Sequence, residues 1–222
     1  MTDTGPDDID PDAARSQPER LLPRWAALLP GHDVEAAGQD LLDRYAEPVR
    51  RYHDRVHLAE VLDAVDLLAE HARDLTAVRL AAWFHDAVYD PRRGDNEAES
   101  ARLARTVLPA YAADHLVAEV ARLVELTSTH AVSEDDANGV VLCDADLAIL
   151  AAPPKRYADY VTGVRAEYAH VEDDAFRAGR ARVLEGLLSH DRLFHTPVGR
   201  RDWEQHARHN VEAELLLLRG AD

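Results

Sequence analysis

An all-α domain is the fold class this sequence predicts, and three observations carry that prediction. From Leu21 to Leu218, apolar residues recur at intervals of three and four, the spacing that lines one face of a helix. No stretch alternates apolar and polar residues between hairpin turns, so nothing signals a sheet. The breaks between periodic stretches are short and rich in Gly, Pro, Asp and Asn, which stop helices.

The first helices are expected in LLPRWAALL, from Leu21, and AAGQDLLDRYA, from Ala36. HLAEVLDAVDLLAEHA, from His57, continues the three-and-four pattern. LTAVRLAAWFHDAVYD, from Leu75, is apolar nearly all round, as befits a helix at the centre of a bundle. NEAESARLARTVL, DHLVAEVARLVELTSTH, RYADYVTGVRAEYAHV, DAFRAGRARVLEGLL and DWEQHARHNVEAELLLL complete the set, together with the strongly apolar VLCDADLAIL. Breaks fall at DPRRGD, SEDDANG, APP and HTPVG. Neither an internal repeat nor a dividing linker is visible, so residues 18–222 read as one domain. Residues 1–17 are rich in Asp, Pro and small polar types and are expected to form a disordered acidic tail.

A chain of 222 residues is ample for a sizeable core. With 42 acidic against 25 basic residues, the formal net charge of -17 repels a phosphate backbone and argues against a nucleic-acid partner. No apolar run reaches the roughly 20 residues needed to cross a bilayer, and the N-terminal stretch lacks the basic and apolar segments of a secretion signal. A cytoplasmic protein without a membrane partner is the expectation. The lone Cys143, among Val140, Val141 and Leu142, reads as a buried apolar residue.

Phosphate-cradling GxxxxGK[ST], dinucleotide GxGxxG, GxSxG and HExxH patterns are all absent from the sequence. Nucleotide-loop ATPases, hydride enzymes and serine hydrolases are thereby disfavoured, but metal chemistry is not. His85 and Asp86 end the most apolar segment, where a carboxylate is costly unless something positive compensates for its lost hydration. A divalent cation would do so; a wet helix terminus is the plainer alternative. His57 precedes the pair, and Asp144 and Asp146 follow it in another apolar segment. Three separated helices could thus converge on one ion, as in other bundle sites. Imidazole with carboxylate suits Mn, Fe, Ni, Zn or Co, with Mg less favoured. His53 and His57 lie four residues apart, so on one helix their rings would share a face.

The ordered set His57, His85 with Asp86, and an Asp in DADL resembles the HD-domain superfamily of metal-dependent phosphohydrolases. The region from about Leu21 to Leu218 is similar to a bacterial branch of predicted phosphohydrolases, through RYHDRVH, WFHDAVYD, NEAES, DADLAIL, VRAEY and ARHNVEAEL. The resemblance implies an HD-domain helical bundle binding a divalent metal through His57, His85, Asp86 and either Asp146 or Asp144. The small Ala145 before Asp146 favours Asp146 in that comparison. YHDRVHLAEV is also similar to a phrase of cyclic-nucleotide phosphodiesterases, distant members of the superfamily. That similarity makes His53 a candidate general acid beside the ligand His57; a plain surface position is the alternative. Tyr89 stands where those enzymes carry a further histidine, which counts against a two-metal site.

Around this centre Glu97 is a candidate water-orienting carboxylate, or else a solvated residue of a first helical turn. His130 is a candidate further ligand or phosphate contact. Arg51, Arg165 and Arg180 are candidates for neutralising phosphate oxygens, against the alternative of surface ion pairs. His206 and His209 read as surface. The expected activity is metal-dependent hydrolysis of a small phosphate ester, nucleotide-like, through an activated water. A non-catalytic metal- or nucleotide-binding sensor and an iron-dependent oxidation on the same fold are the alternatives.

Overall fold

Ten α-helices and no strand form the regular structure of the described residues, 20–220, in a computed structural model of the chain. The expected acidic tail lies outside those residues. The helices are α1 (Leu21–Leu28), α2 (Glu35–Arg44), α3 (Arg55–Leu67), α4 (Leu75–Phe84) and α5 (Asn96–Val107). They continue as α6 (Asp114–Leu126), α7 (Ala137–Leu147), α8 (Pro154–Glu167), α9 (Asp173–Ser189) and α10 (Glu204–Arg219). No single helix is long and apolar enough to cross a membrane.

Aspartate caps set the start of the three helices that matter most for the site. The Asp54 carboxylate accepts the N–H groups of Val56 and His57 at α3, Asp74 accepts that of Ala77 at α4, and Asp136 accepts that of Gly139 at α7. Each satisfies amides that a helix N-terminus otherwise leaves orphaned. Pro154 opens α8, where its missing N–H costs nothing.

α4 is the central helix, with Ala77, Val78 and the whole run Leu80–Phe84 buried. It packs against α3, α5, α6 and α7, and Trp25 of α1 meets Trp83 edge to face at 5.3 Å. A second core joins α8, α9 and α10 through Tyr157, Tyr160, Leu184, Val211 and Leu215, and includes Tyr52 from the loop before α3. α7 carries buried residues into the first core and leads through Ala148–Ala151 into the second.

Apolar periodicity runs to Tyr89, yet α4 stops at Phe84, with His85 at its C-terminal cap and Asp86 beyond it. The buried Arg50 stabilises this stop by donating from its guanidinium to the carbonyls of His53, Asp86 and Ala87 at 2.9, 2.8 and 3.3 Å. Its guanidinium carbon also lies over the rings of Tyr45 and Tyr89, at 5.0 and 5.4 Å. α3 likewise begins later than its sequence pattern implies. His53 precedes the cap Asp54, so His53 and His57 do not share one helical face. Their rings still come within 5.7 Å, because the loop folds back over the helix end. α8 presses on this loop at Gly163, where an added Cβ would stand 2.9 Å from the carbonyl oxygen of Arg51.

Candidate metal centre

α3, the end of α4 and α7 bring His57, His85 and Asp146 together, so that one ligand atom of each lies within 4.8 Å of the others. The Nε2 atoms of His57 and His85 are 3.1 Å apart, and Asp146 Oδ1 lies 3.3 and 3.6 Å from them. Asp86 Oδ2 lies 3.5 Å from His57 Nε2 and 3.1 Å from His85 Nε2. First-row ions hold nitrogen and oxygen ligands at about 2.1 Å, which places neighbouring ligands about 3.0 Å apart in an octahedron and about 3.4 Å apart in a tetrahedron. The three separations among His57, His85 and Asp146 therefore match the edges of one coordination sphere, and Asp86 approaches both imidazoles from outside that mutually close set. His57 and His85 are nearly buried, whereas Asp86 and Asp146 each keep 15% of the side chain exposed, which leaves one open side.

The proton arrangement also fits an ion. His85 Nδ1–H donates to the Ala82 carbonyl at 2.7 Å, which leaves Nε2 free to ligate. Burial alone would raise the carboxyl pKa values of Asp86 and Asp146. The neighbouring histidines outweigh it and hold both groups well below the usual carboxylate range. Burial would also lower the imidazole of His57, but hydrogen bonds and charge from Asp146 and Asp86 drive it up to about 10. His85 is raised by the same two carboxylates against the same burial penalty. Two imidazoles and two carboxylates thus act as competing sinks for positive charge, which a divalent cation satisfies as protons do.

Beside the cluster stands a second construction. Glu167, the last residue of α8 and only 3% exposed, accepts the backbone N–H groups of Arg51, Tyr52 and His53 on Oε1 at 2.8, 2.8 and 2.9 Å. On Oε2 it accepts His53 Nδ1–H and the Tyr89 hydroxyl, both at 2.7 Å. The His53 ring stacks on Tyr89 with centroids 4.4 Å apart. Burial would raise the Glu167 carboxyl, but the His53 bond and charge and the other donors pull it down to about 2. His53 is thereby oriented, with its Nδ1 committed to Glu167 and its Nε2 left available. The Tyr52 hydroxyl is buried without a hydrogen-bond partner, while its ring lies 4.7 Å from that of His57.

The two aspartates of α7 separate cleanly. Asp146 faces the histidines, and its Oδ2 accepts His130 Nε2–H at 2.9 Å. Asp144 points the other way and is fully buried, accepting the backbone N–H groups of His195 and Thr196 at 2.7 to 3.1 Å. Burial raises its carboxyl pKa, and the Thr196 side chain together with these amides only partly offsets the rise. Gly199 closes over it, since a Cβ there would lie 2.8 Å from Asp144 Oδ2. Asp144 therefore anchors the segment before α10 and does not face the histidine pair.

Two of the three arginines lie elsewhere. Arg165 donates to the carbonyls of Tyr168 and Val171 and pairs with Asp173, and Arg180 pairs with Glu214 and Tyr160 in the second core. Both brace the chain around α9, so neither is available to phosphate in this arrangement. Arg51 is exposed next to His53, and its guanidinium makes no hydrogen bond or ion pair among the described residues. Glu97 is half-buried in the first turn of α5 and bonds to no ligand side chain; its charge is felt at Tyr168. His206 and His209 are exposed on α10. Sequence reasoning did not single out Glu167 or Arg50. Glu167 lies within VRAEY, one of the phrases that carry the family resemblance, and that was the available signal.

Comparisons with protein-family models, with curated proteins and with solved structures return no match for this chain.

Proposed function

We propose that the chain is a metal-dependent phosphohydrolase of the HD-domain type, acting on a small phosphate ester. The observation that carries the reading is the placement of an oriented histidine, His53, 5.7 Å in ring-centroid distance from a ligand histidine whose neighbours match one ion's coordination edges. Among the ions that suit two imidazoles and carboxylate oxygens, Mn, Fe, Ni, Zn and Co lead, and Mg follows.

When bound, the divalent ion supplies Lewis acidity toward a phosphoryl oxygen and toward water. His57, His85, Asp86 and Asp146 hold it from three separate elements. His53 delivers a proton from Nε2 to the departing ester oxygen, the step in which a poorly leaving alkoxide becomes an alcohol. Glu167 fixes the ring that does so. Tyr89 supports the same face of the ring. Arg51 is the side chain at this mouth with charge to offer the phosphoryl oxygens. The exposed edge that Asp86 and Asp146 keep is the approach for a small substrate, and the overall negative charge disfavours a polyanionic polymer.

Protein purified without chelator is to be analysed for metals and assayed on phosphate mono- and diesters with each candidate ion. Ester hydrolysis that is abolished by chelation and restored by one of those ions is the expected result. A metal-loaded protein inert toward every ester would overturn the assignment.

A further inference from the structure

Among the described residues Asp146 supplies the one carboxylate of the mutually close set, and its two oxygens do different things. Oδ1 approaches the Nε2 atoms of His57 and His85 at 3.3 and 3.6 Å, while Oδ2 accepts His130 Nε2–H at 2.9 Å. A carboxylate free to turn can give a cation one oxygen or both. We propose that His130 is a positioning residue for the metal centre, holding Asp146 so that it presents Oδ1 alone and takes one coordination position rather than two. The position thus spared is where water or a phosphoryl oxygen would enter. The inference rests on reading the cluster as a metal centre, and it can be tested without turnover.

Three observations single out this side chain. Apart from the histidine pair, no other side chain among the described residues bonds Asp146. His130 and Asp146 keep 22% and 15% of their side chains exposed, so the bond lies toward the open side of the cluster, where packing alone does not fix the carboxylate. His130 is also the one residue other than glycine with a positive φ, 52°, among the described residues.

That backbone conformation bears on why a histidine stands here. His130 follows the end of α6, and its N–H closes the turn on the Leu126 carbonyl at 3.0 Å. A turn residue in the left-handed region is ordinarily glycine, because a Cβ there crowds the following carbonyl oxygen. Glycine would suit the backbone at least as well and would lack only the imidazole on Asp146. The same geometry argues against His130 as a further ligand or phosphate contact. It lies outside the mutually close set, and its Nε2–H is committed to Oδ2.

Two variants distinguish positioning from a plain turn-forming role. His130→Gly relieves the backbone and removes the donor, whereas His130→Gln keeps a side-chain N–H at similar reach together with the unfavourable φ. Zinc affinity is measured by competition with a chelator, after thermal melts have shown that each metal-free protein is folded. The visible spectrum of the cobalt-loaded protein is recorded beside it, because cobalt absorbs more weakly as its coordination number rises. His130→Gly should bind zinc about 10- to 100-fold more weakly and lose cobalt absorption as Asp146 turns both oxygens to the ion, with His130→Gln near wild type in both. A turn-forming role predicts the reverse order, with His130→Gln the impaired variant, and that order would overturn the proposal. An unaltered cobalt spectrum in His130→Gly, or a wild type with two ions of which the variants keep one, would overturn it as well. Zinc bound equally by all three proteins defeats the role of His130 alone. A wild type that takes up no ion defeats the metal reading, and this inference with it.

Discussion

His53 Nδ1 lies 2.7 Å from Oε2 of Glu167, a carboxylate 114 residues later in the chain whose other oxygen gathers three consecutive backbone amides of the loop bearing His53. One side chain thus fixes both the position of the loop and the orientation of its ring. His53→Ala is expected to lower kcat by about 10²- to 10⁴-fold, the usual range for losing a general acid, with metal content unchanged. Glu167→Gln should lower kcat by a smaller factor. The double variant should be little slower than His53→Ala, because Glu167 acts through His53. Rate losses that multiply in the double variant would show that the two residues act independently.

The Asp144 and Asp146 side chains make opposite predictions although they belong to one helix. Asp146→Ala removes a carboxylate facing two histidines, so the purified protein should lose bound metal. Asp144→Ala strips the acceptor from the amides of His195 and Thr196, at a cost of about 2–4 kcal/mol and a fall in Tm of roughly 5–15 °C. Metal content per folded molecule should be unaffected. Elemental analysis beside a thermal melt separates the two outcomes, and a metal-free Asp144→Ala protein that still folds would reverse the ligand assignment.

This pair also marks where the sequence stops being informative. The all-α class follows from periodicity, and α4 and α7 are apolar enough to be placed centrally from the sequence. Carboxylates in those segments required compensation, which led to His57, His85 and the DADL aspartates. Residues two apart on a helix project about 200° apart, so the choice between Asp144 and Asp146 depended on what lay on each side of α7. One side proved to be the amides of His195 and Thr196, contributed by a segment some fifty residues away. Arg50 and Arg51 show the same limit, because adjacent loop residues have no period. One is a buried strut beneath Asp86, and the other is exposed beside His53. Glu167 was obscure for a related reason, since its partners are the backbone amides of a distant turn.

Acid stability provides a prediction that does not depend on turnover. The folded state holds the Glu167 carboxyl at about 2, against an ordinary value of 4.5. A depressed carboxyl contributes stability that is present above its unfolded pKa and is lost as pH falls toward the folded one. Glu167 should therefore support the fold fully above about pH 4.5 and lose that support between about pH 4.5 and 2. Denaturant melts across that window should show a shallower loss of stability in Glu167→Gln than in wild type. Parallel pH profiles for the two proteins would mean that the carboxylate carries no such linkage.

Metal binding should expel protons, and the direction follows from the imidazole shifts. In the metal-free fold His57 is raised to about 10 and His85 is raised as well, so each Nε2 competes for a proton at neutral pH. A raised imidazole stabilises the metal-free fold fully below its unfolded value near 6.5, and that contribution disappears as pH rises through about 10 for His57. An ion needs the unprotonated nitrogens, so binding near neutral pH must release protons, and affinity should climb from pH 6.5 toward 10. Zinc titrations in two buffers of different ionisation enthalpy measure the proton count directly. We expect about one proton or more per ion at pH 7, and less in His57→Ala. A proton count of zero with pH-independent affinity would place the ion away from His57 and His85, and would remove the support that the cluster gives to the hydrolytic reading.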